Sequence, residues 1–105
     1  MEHLNKIELV GIVGYVNNTK VGDLNNIRFS VATNYDYNSK DGCAVIETTW
    51  HNCTAWSDKN PKATQLAKGD TVHLSGRLRT QKYEDAYGVE RTFTEIVVNN
   101  LDIVG

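Results

Sequence analysis

The stretch from Lys68 to Tyr83 constrains this chain most, because Val72, Leu74, Gly76, Leu78 and Thr80 alternate with Thr71, His73, Ser75, Arg77, Arg79, Gln81 and Tyr83. A period of two separates one apolar face from one polar face only if the segment is a β-strand; a helix would scatter both sets around its axis. The polar face carries Arg77, Arg79 and Tyr83. Cations interleaved with an exposed ring suit a single nucleic-acid strand, since guanidinium groups meet phosphates while the ring stacks on a base. A plain solvated strand face has the same pattern, and this stretch by itself leaves both readings open.

The other apolar residues also come in short runs separated by Gly, Asn and Asp, which predicts a small all-β barrel. Ile7 to Tyr15 is the first strand, with Gly11 and Gly14 expected at a bulge or barrel corner. The glycines of Gly11-Ile12-Val13-Gly14 match the bare spacing of one RNA-binding loop, but Ile and Val between them belong in a buried strand. Val16 to Asn26 reads as a loop. Ile27 to Thr33 is the second strand, with Ile27, Phe29 and Val31 inward and Arg28 and Ser30 outward. Asn34 to Gly42 reads as a second loop, in which Tyr35 and Tyr37 beside Lys40 are either stacking rings on a flexible finger or aromatics packed onto the barrel.

Glu47 to Trp56 is the third strand, placing Trp50, Asn52, Thr54 and Trp56 on one face and His51, Cys53 and Ala55 on the other. Periodicity does not say which face points inward. Asn60 to Gly69 has a capping Asn, Pro at the first helical position and Gly past the end, which predicts a helix of about two turns. Tyr83 to Arg91 forms the hairpin to a last strand, Phe93 to Val104. Five strands with one short helix between the third and fourth is the order of the OB-fold, a barrel that binds oligonucleotides.

At 105 residues and 40% hydrophobic content the chain, residues 1–105, reads as one domain. Met1 to Asn5 lacks the apolar core of a signal peptide and no run approaches a membrane span, so a cytoplasmic location without membrane contact is expected. Cys43 and Cys53 are too few for a metal cage and read as reduced thiols; with His3, His51 and His73 at unrelated spacings, neither a metal nor another cofactor is expected. The net charge of −2 requires any phosphate site to be local. No nucleophile, base and orienting group recur at usable spacing, which argues against an enzyme.

Asn5-Lys6-Ile7 with Leu9-Val10-Gly11, Phe29 to Thr33, Thr49-Trp50-His51, Lys68-Gly69, Gly76 to Thr80 with Lys82, and Thr94-Glu95-Ile96-Val97-Val98, in that order over nearly the whole chain, resemble the bacterial single-stranded DNA-binding protein family. The resemblance implies sequence-tolerant binding of single-stranded DNA in replication, recombination or repair. It implies stacking roles for Trp50, Trp56 and Tyr83, with Tyr35 or Tyr37 as a further ring, and so favours the orientation with both tryptophans outside. Arg79 and Lys82 match phosphate-contacting positions, Arg77 shares their strand, and Lys6, Arg28, Lys62 and Arg91 are their implied neighbours along the DNA backbone. His51 matches a position near a subunit contact, and a homotetramer is implied.

The chain departs from the family pattern at Gln81, where an arginine is common, and around the last hairpin, where Glu84, Asp85 and Glu90 face Arg77, Arg79, Lys82 and Arg91. That near balance predicts a shallow salt dependence of binding. The sequence ends at Gly105 without the family's acidic tip, so recruitment of replication and repair partners is not expected. Two other roles compatible with the residues are an accessory protein of primosomes or mobile elements, and a protein-interaction module on the same fold.

Overall fold

The computed structural model describes residues 2–104; Met1 and Gly105, and with Gly105 the expectation about the chain end, lie outside the described residues. Its elements are β1 (Ile7–Val21), β2 (Leu24–Asn38), β3 (Ala44–Trp56), a short 3₁₀ turn (Pro61–Gln65), β4 (Thr71–Glu84) and β5 (Glu90–Val104). The strands close into a barrel in the order β1-β2-β3-β5-β4. Every pairing is antiparallel except β3 with β5, which meet in parallel at Cys53–Ile96 and Thr54–Val97. This is the expected all-β architecture.

Alternation builds the interior. Ile27, Phe29 and Val31 of β2, Val72 and Leu74 of β4, Val13 of β1, Cys53 and Ala55 of β3, and Ile96, Val98 and Leu101 of β5 form one buried cluster. Removing these side chains from water is the main favourable contribution to folding. Ala63 and Leu66 join the same cluster from the segment between β3 and β4. Leu78, although on the apolar face of β4, is 45% exposed: the pairing of β1 with β4 ends at Ile7 opposite Gly76, so no β1 strand flanks β4 at Leu78.

The two expected loops are instead paired ribbons. Val16 to Val21 pairs with Phe29 back to Leu24, and the chain reverses at Gly22, whose φ of +62° suits a residue without Cβ. Asn34 to Asn38 pairs with Thr48 back to Ala44. Only Ile27 and Phe29, at the root of the first ribbon, are buried in the core; the rest of both arms is exposed or half-buried and rich in Asn and Asp, while the backbone bonds that define them leave no mark on composition.

The expected two-turn helix is a five-residue 3₁₀ turn, and Asn60 makes no capping bond. Asn60 Nδ2 donates instead to the carbonyl of Val98 at 3.1 Å, and the Gly69 amide donates to the carbonyl of Val13 at 2.9 Å. Both ends of the segment are thus tied to the barrel that Ala63 and Leu66 enter, and docking rather than local capping decides its shape.

Candidate nucleic-acid interface

On β3 the structure turns Cys53 (2% exposed) and Ala55 (1%) into the core and leaves Trp50 59% exposed outside. Trp56 shares Trp50's face and is half-buried. The small side chains fit the closely packed interior, and the indoles are left on the surface. Trp50 lies opposite Ala32 of β2 and reaches over to β1. A Cβ on Gly14 would sit 2.4 Å from the Trp50 ring and 2.6 Å from Ser30 Oγ, so glycine is what lets the indole lie down there. The register of β1 slips between Val13 and Val16, and the Tyr15 amide donates to Ser30 Oγ at 3.0 Å. This bulge is the irregularity expected at Gly14. It presents Tyr15 beside Trp50, in a shallow patch completed by Gly14, Ser30 and Asn52.

A second depression adjoins this patch through Tyr15 and Asn52, with a volume of about 330 Å³, and is also lined by Arg28, Cys53, Tyr83, Phe93 and Glu95. Tyr83 and Phe93 meet edge to face, their ring centres 5.8 Å apart. The Arg28 guanidinium lies 5.9 Å from the centre of the Phe93 ring, in cation–π range. At the floor, Arg79 Nη2 donates to Glu95 Oε1 at 2.5 Å, with Glu95 only 3% exposed. Arg79 opens on its other side into a third cleft of about 410 Å³, bordered by Trp56, Arg77, Lys59 and Leu24. Trp50, Tyr15, Phe93 with Tyr83, and Trp56 therefore succeed one another across β1, β2, β3, β5 and β4, interrupted by Arg28, Arg79 and Arg77.

Four of the cations expected at phosphates are already paired with carboxylates. Arg79 holds Glu95 as above, Arg91 Nε lies 3.0 Å from Asp85, Lys82 Nζ 3.5 Å from Glu90, and Lys62 Nζ 2.8 Å from Asp102. Asp85 is held below the usual carboxylate range by the Val89 amide first, then by Arg91 and the Tyr87 amide. Asp102 is lowered in the same direction by the hydrogen bond and charge of Lys62. Lys6, Arg28 and Arg77 make no ion pair among the described residues. The alternation of β4 also sets Lys82 on the face opposite Arg79 and Tyr83, and Lys62 borders none of the three depressions.

Tyr35 and Tyr37 are strand residues, not loop residues, with ring centres 6.1 Å apart. Their register partners are Glu47 and Val45, so they occupy the β2 face opposite the one that Ala32 shares with Trp50. His51 is half-buried, and its Nε2 lies 2.8 Å from Thr33 Oγ1. His73 pairs with Glu8 at 2.8 Å, and no group of His, Cys, Asp or Glu among the described residues is placed to hold a metal. Both cysteines are free; burial, with the Glu95 charge second, pushes the Cys53 thiol up to about 12. No helix of the described residues is long and apolar enough to cross a membrane.

Sequence reasoning did not single out Tyr15, Asn52, Phe93 or Glu95. Phe93 was within reach of it: paired with Gln81, it sits on the face of Arg79 and Tyr83, and alternation carried across the hairpin finds it. Tyr15 depends on the bulge, for which the glycine was the only signal.

A model described as the Single-strand binding protein family matches residues 4–104. The single-stranded DNA-binding protein of Neisseria meningitidis serogroup B is 37% identical over 107 residues, an alignment covering 97% of this chain and 60% of that protein. The protein of the same description from Bacteroides thetaiotaomicron is 34% identical, covering 96% of this chain and 66% of that one. The chain thus spans about 60% of the length of the Neisseria relative. Among solved structures, the Plasmodium falciparum SSB complex with ssDNA superposes with a TM-score of 0.87 at 26% identity, covering 100% of this chain and 98% of that one. A deletion mutant of the Thermus aquaticus single-stranded DNA binding protein shares the fold, with a TM-score of 0.78 at 17% identity over 97% of this chain and 51% of that one. With the barrel, the aromatic face and a family match running nearly end to end, the chain belongs to the Single-strand binding protein family.

Proposed function

We propose that this protein binds single-stranded DNA without catalysis and with broad sequence tolerance, in replication, recombination or repair in the cytoplasm. The observation that carries the reading is the line of rings from Trp50 through Tyr15, Phe93 and Tyr83 to Trp56, set between Arg28 and Arg77. Every base has a π-face, so stacking on such a line tolerates sequence, and the unpaired cations neutralise the backbone between stacked bases. The names of its relatives support the same substrate. Titration with oligo-dT tests it: the indole emission falls as bases cover Trp50 and Trp56, and an unchanged emission at independently verified saturation removes the tryptophans from the site.

Assembly into a homotetramer is part of the proposal. The outer face of β1 exposes Val10 (61%) and Ile12 (52%), apolar surface that a second copy would cover. Several joined barrels let one strand pass from site to site, raising affinity through effective concentration.

A further inference from the structure

The floor of the central cleft holds a carboxylate where a polyanion is to bind. Glu95 is almost fully buried, and its one side-chain hydrogen bond among the described residues uses Oε1, which accepts from Arg79. No side-chain nitrogen or oxygen among the described residues is both sealed from solvent and without a partner. The second oxygen, Oε2, therefore reaches solvent, and the solvent space that Glu95 borders is the cleft it shares with Asn52, Tyr83 and Phe93. Asn52 is exposed on the same face and is held by no side-chain hydrogen bond to another described residue. Arg28 and the two rings form the walls.

We infer that Glu95 and Asn52 form a base-reading subsite, in which Glu95 Oε2 accepts a hydrogen bond from the exocyclic amino group of a nucleobase seated against Tyr83 and Phe93. A phosphate gains nothing here, because the Arg79 charge is already taken up by Glu95 and Oε2 can only accept, as phosphate oxygens do. The backbone is drawn instead to Arg28 on the cleft wall and Arg77 beyond Arg79, which turns a base inward. Cytosine presents an amino donor at position 4, a group that carboxylates accept from, whereas thymine presents a carbonyl oxygen there. Two acceptors would then face each other across the cleft, and thymine binds less well at this one position. Asn52 carries both a donor and an acceptor and can complete either edge. Arg79 is in this account a positioning residue: its bond to Oε1 fixes the carboxylate so that Oε2 points outward.

The inference rests on the single-stranded DNA reading, and its test separates the two. Affinities for oligo-dC, oligo-dT and an oligonucleotide of 2-pyrimidinone, which is cytosine without its amino group, are measured for the wild type and Glu95→Gln at one salt concentration near pH 7.5. Glu95→Gln is expected to lower the dC-to-dT affinity ratio about fivefold, the scale of one hydrogen bond to a charged acceptor shared with solvent. Loss of the amino group should weaken wild-type binding by a similar factor and the variant's much less. A fall of both affinities in equal proportion means that Glu95 only holds Arg79, and overturns the inference. If Glu95→Gln does not fold, the wild-type comparison decides alone, with equal affinity for oligo-dC and the 2-pyrimidinone strand as the overturning result. Failure of all three strands to bind would defeat the DNA reading itself.

Discussion

At the scale of single residues, an exposed indole seated on a glycine separates binding from folding. Trp50→Ala should weaken oligo-dT binding by about 1–3 kcal/mol, the value of one base–aromatic stack. The same change should cost about 1 kcal/mol or less of stability, because the ring covers Gly14 from outside and fills no core space; calorimetry and a binding isotherm on one preparation check both. Gly14→Val should mimic the binding loss with the ring still present, since its Cβ meets the indole at 2.4 Å and displaces it. The cations divide in a similar way. Arg28→Ala and Arg77→Ala should each reduce the slope of log affinity against log salt by up to about 0.7, one single-strand phosphate each. Lys62→Ala should leave that slope unchanged, because Lys62 is occupied by Asp102 and lies away from the clefts. A slope unaltered by both arginine substitutions would remove them as phosphate ligands.

At the scale of elements, the strands outrun the barrel and become two-stranded arms, whose order depends on their turns as well as on pairing. The β4–β5 arm turns on Asp85: its Oδ1 accepts from the Tyr87 and Val89 amides and its Oδ2 faces Arg91. The folded-state pKa of Asp85 lies below its ordinary value of 3.8, so the stabilisation is present above that value and is lost as pH falls through the folded pKa. Titration of the Asp85 carboxyl carbon by NMR should show a midpoint below 3.8, with the Val89 amide resonance moving alongside it. A midpoint at or above the ordinary value would mean that the turn does not use the ionised carboxylate. On the β2–β3 arm, Tyr35 and Tyr37 face away from Trp50. Tyr35→Ala should therefore cost less than Trp50→Ala in binding an oligonucleotide short enough to occupy one barrel, a difference that parallel titrations measure.

At the scale of the whole molecule, the apolar outer face of β1 predicts self-association: Ile12→Arg should lower the mass seen by light scattering at micromolar concentration, and a wild-type monomer there would defeat the tetramer. How far such features could be read in advance differs from one to another. Alternation alone identified Ile27, Phe29, Val31, Val72 and Leu74 as core, and the order of five β-runs with one expected short helix between the third and fourth was enough for the barrel, although that helix is a 3₁₀ turn. Those conclusions are local, because side-chain period and turn chemistry are written within a few consecutive residues. The orientation of β3 was not readable from its period, since a repeat of two defines a pair of faces without saying which is inside. It was decided by the space between β2 and β5, which admits Cys53 and Ala55 and leaves Trp50 outside. The arms escaped notice because wet ribbons and loops share a polar composition, and the helix signal at Asn60 yielded to docking against Val98 and Val13. Which cations remain free, and that Glu95 is buried beside Arg79, depend on strands far apart in the chain meeting at one register. Such pairing energies belong to no segment by itself, and only the closed barrel decides them.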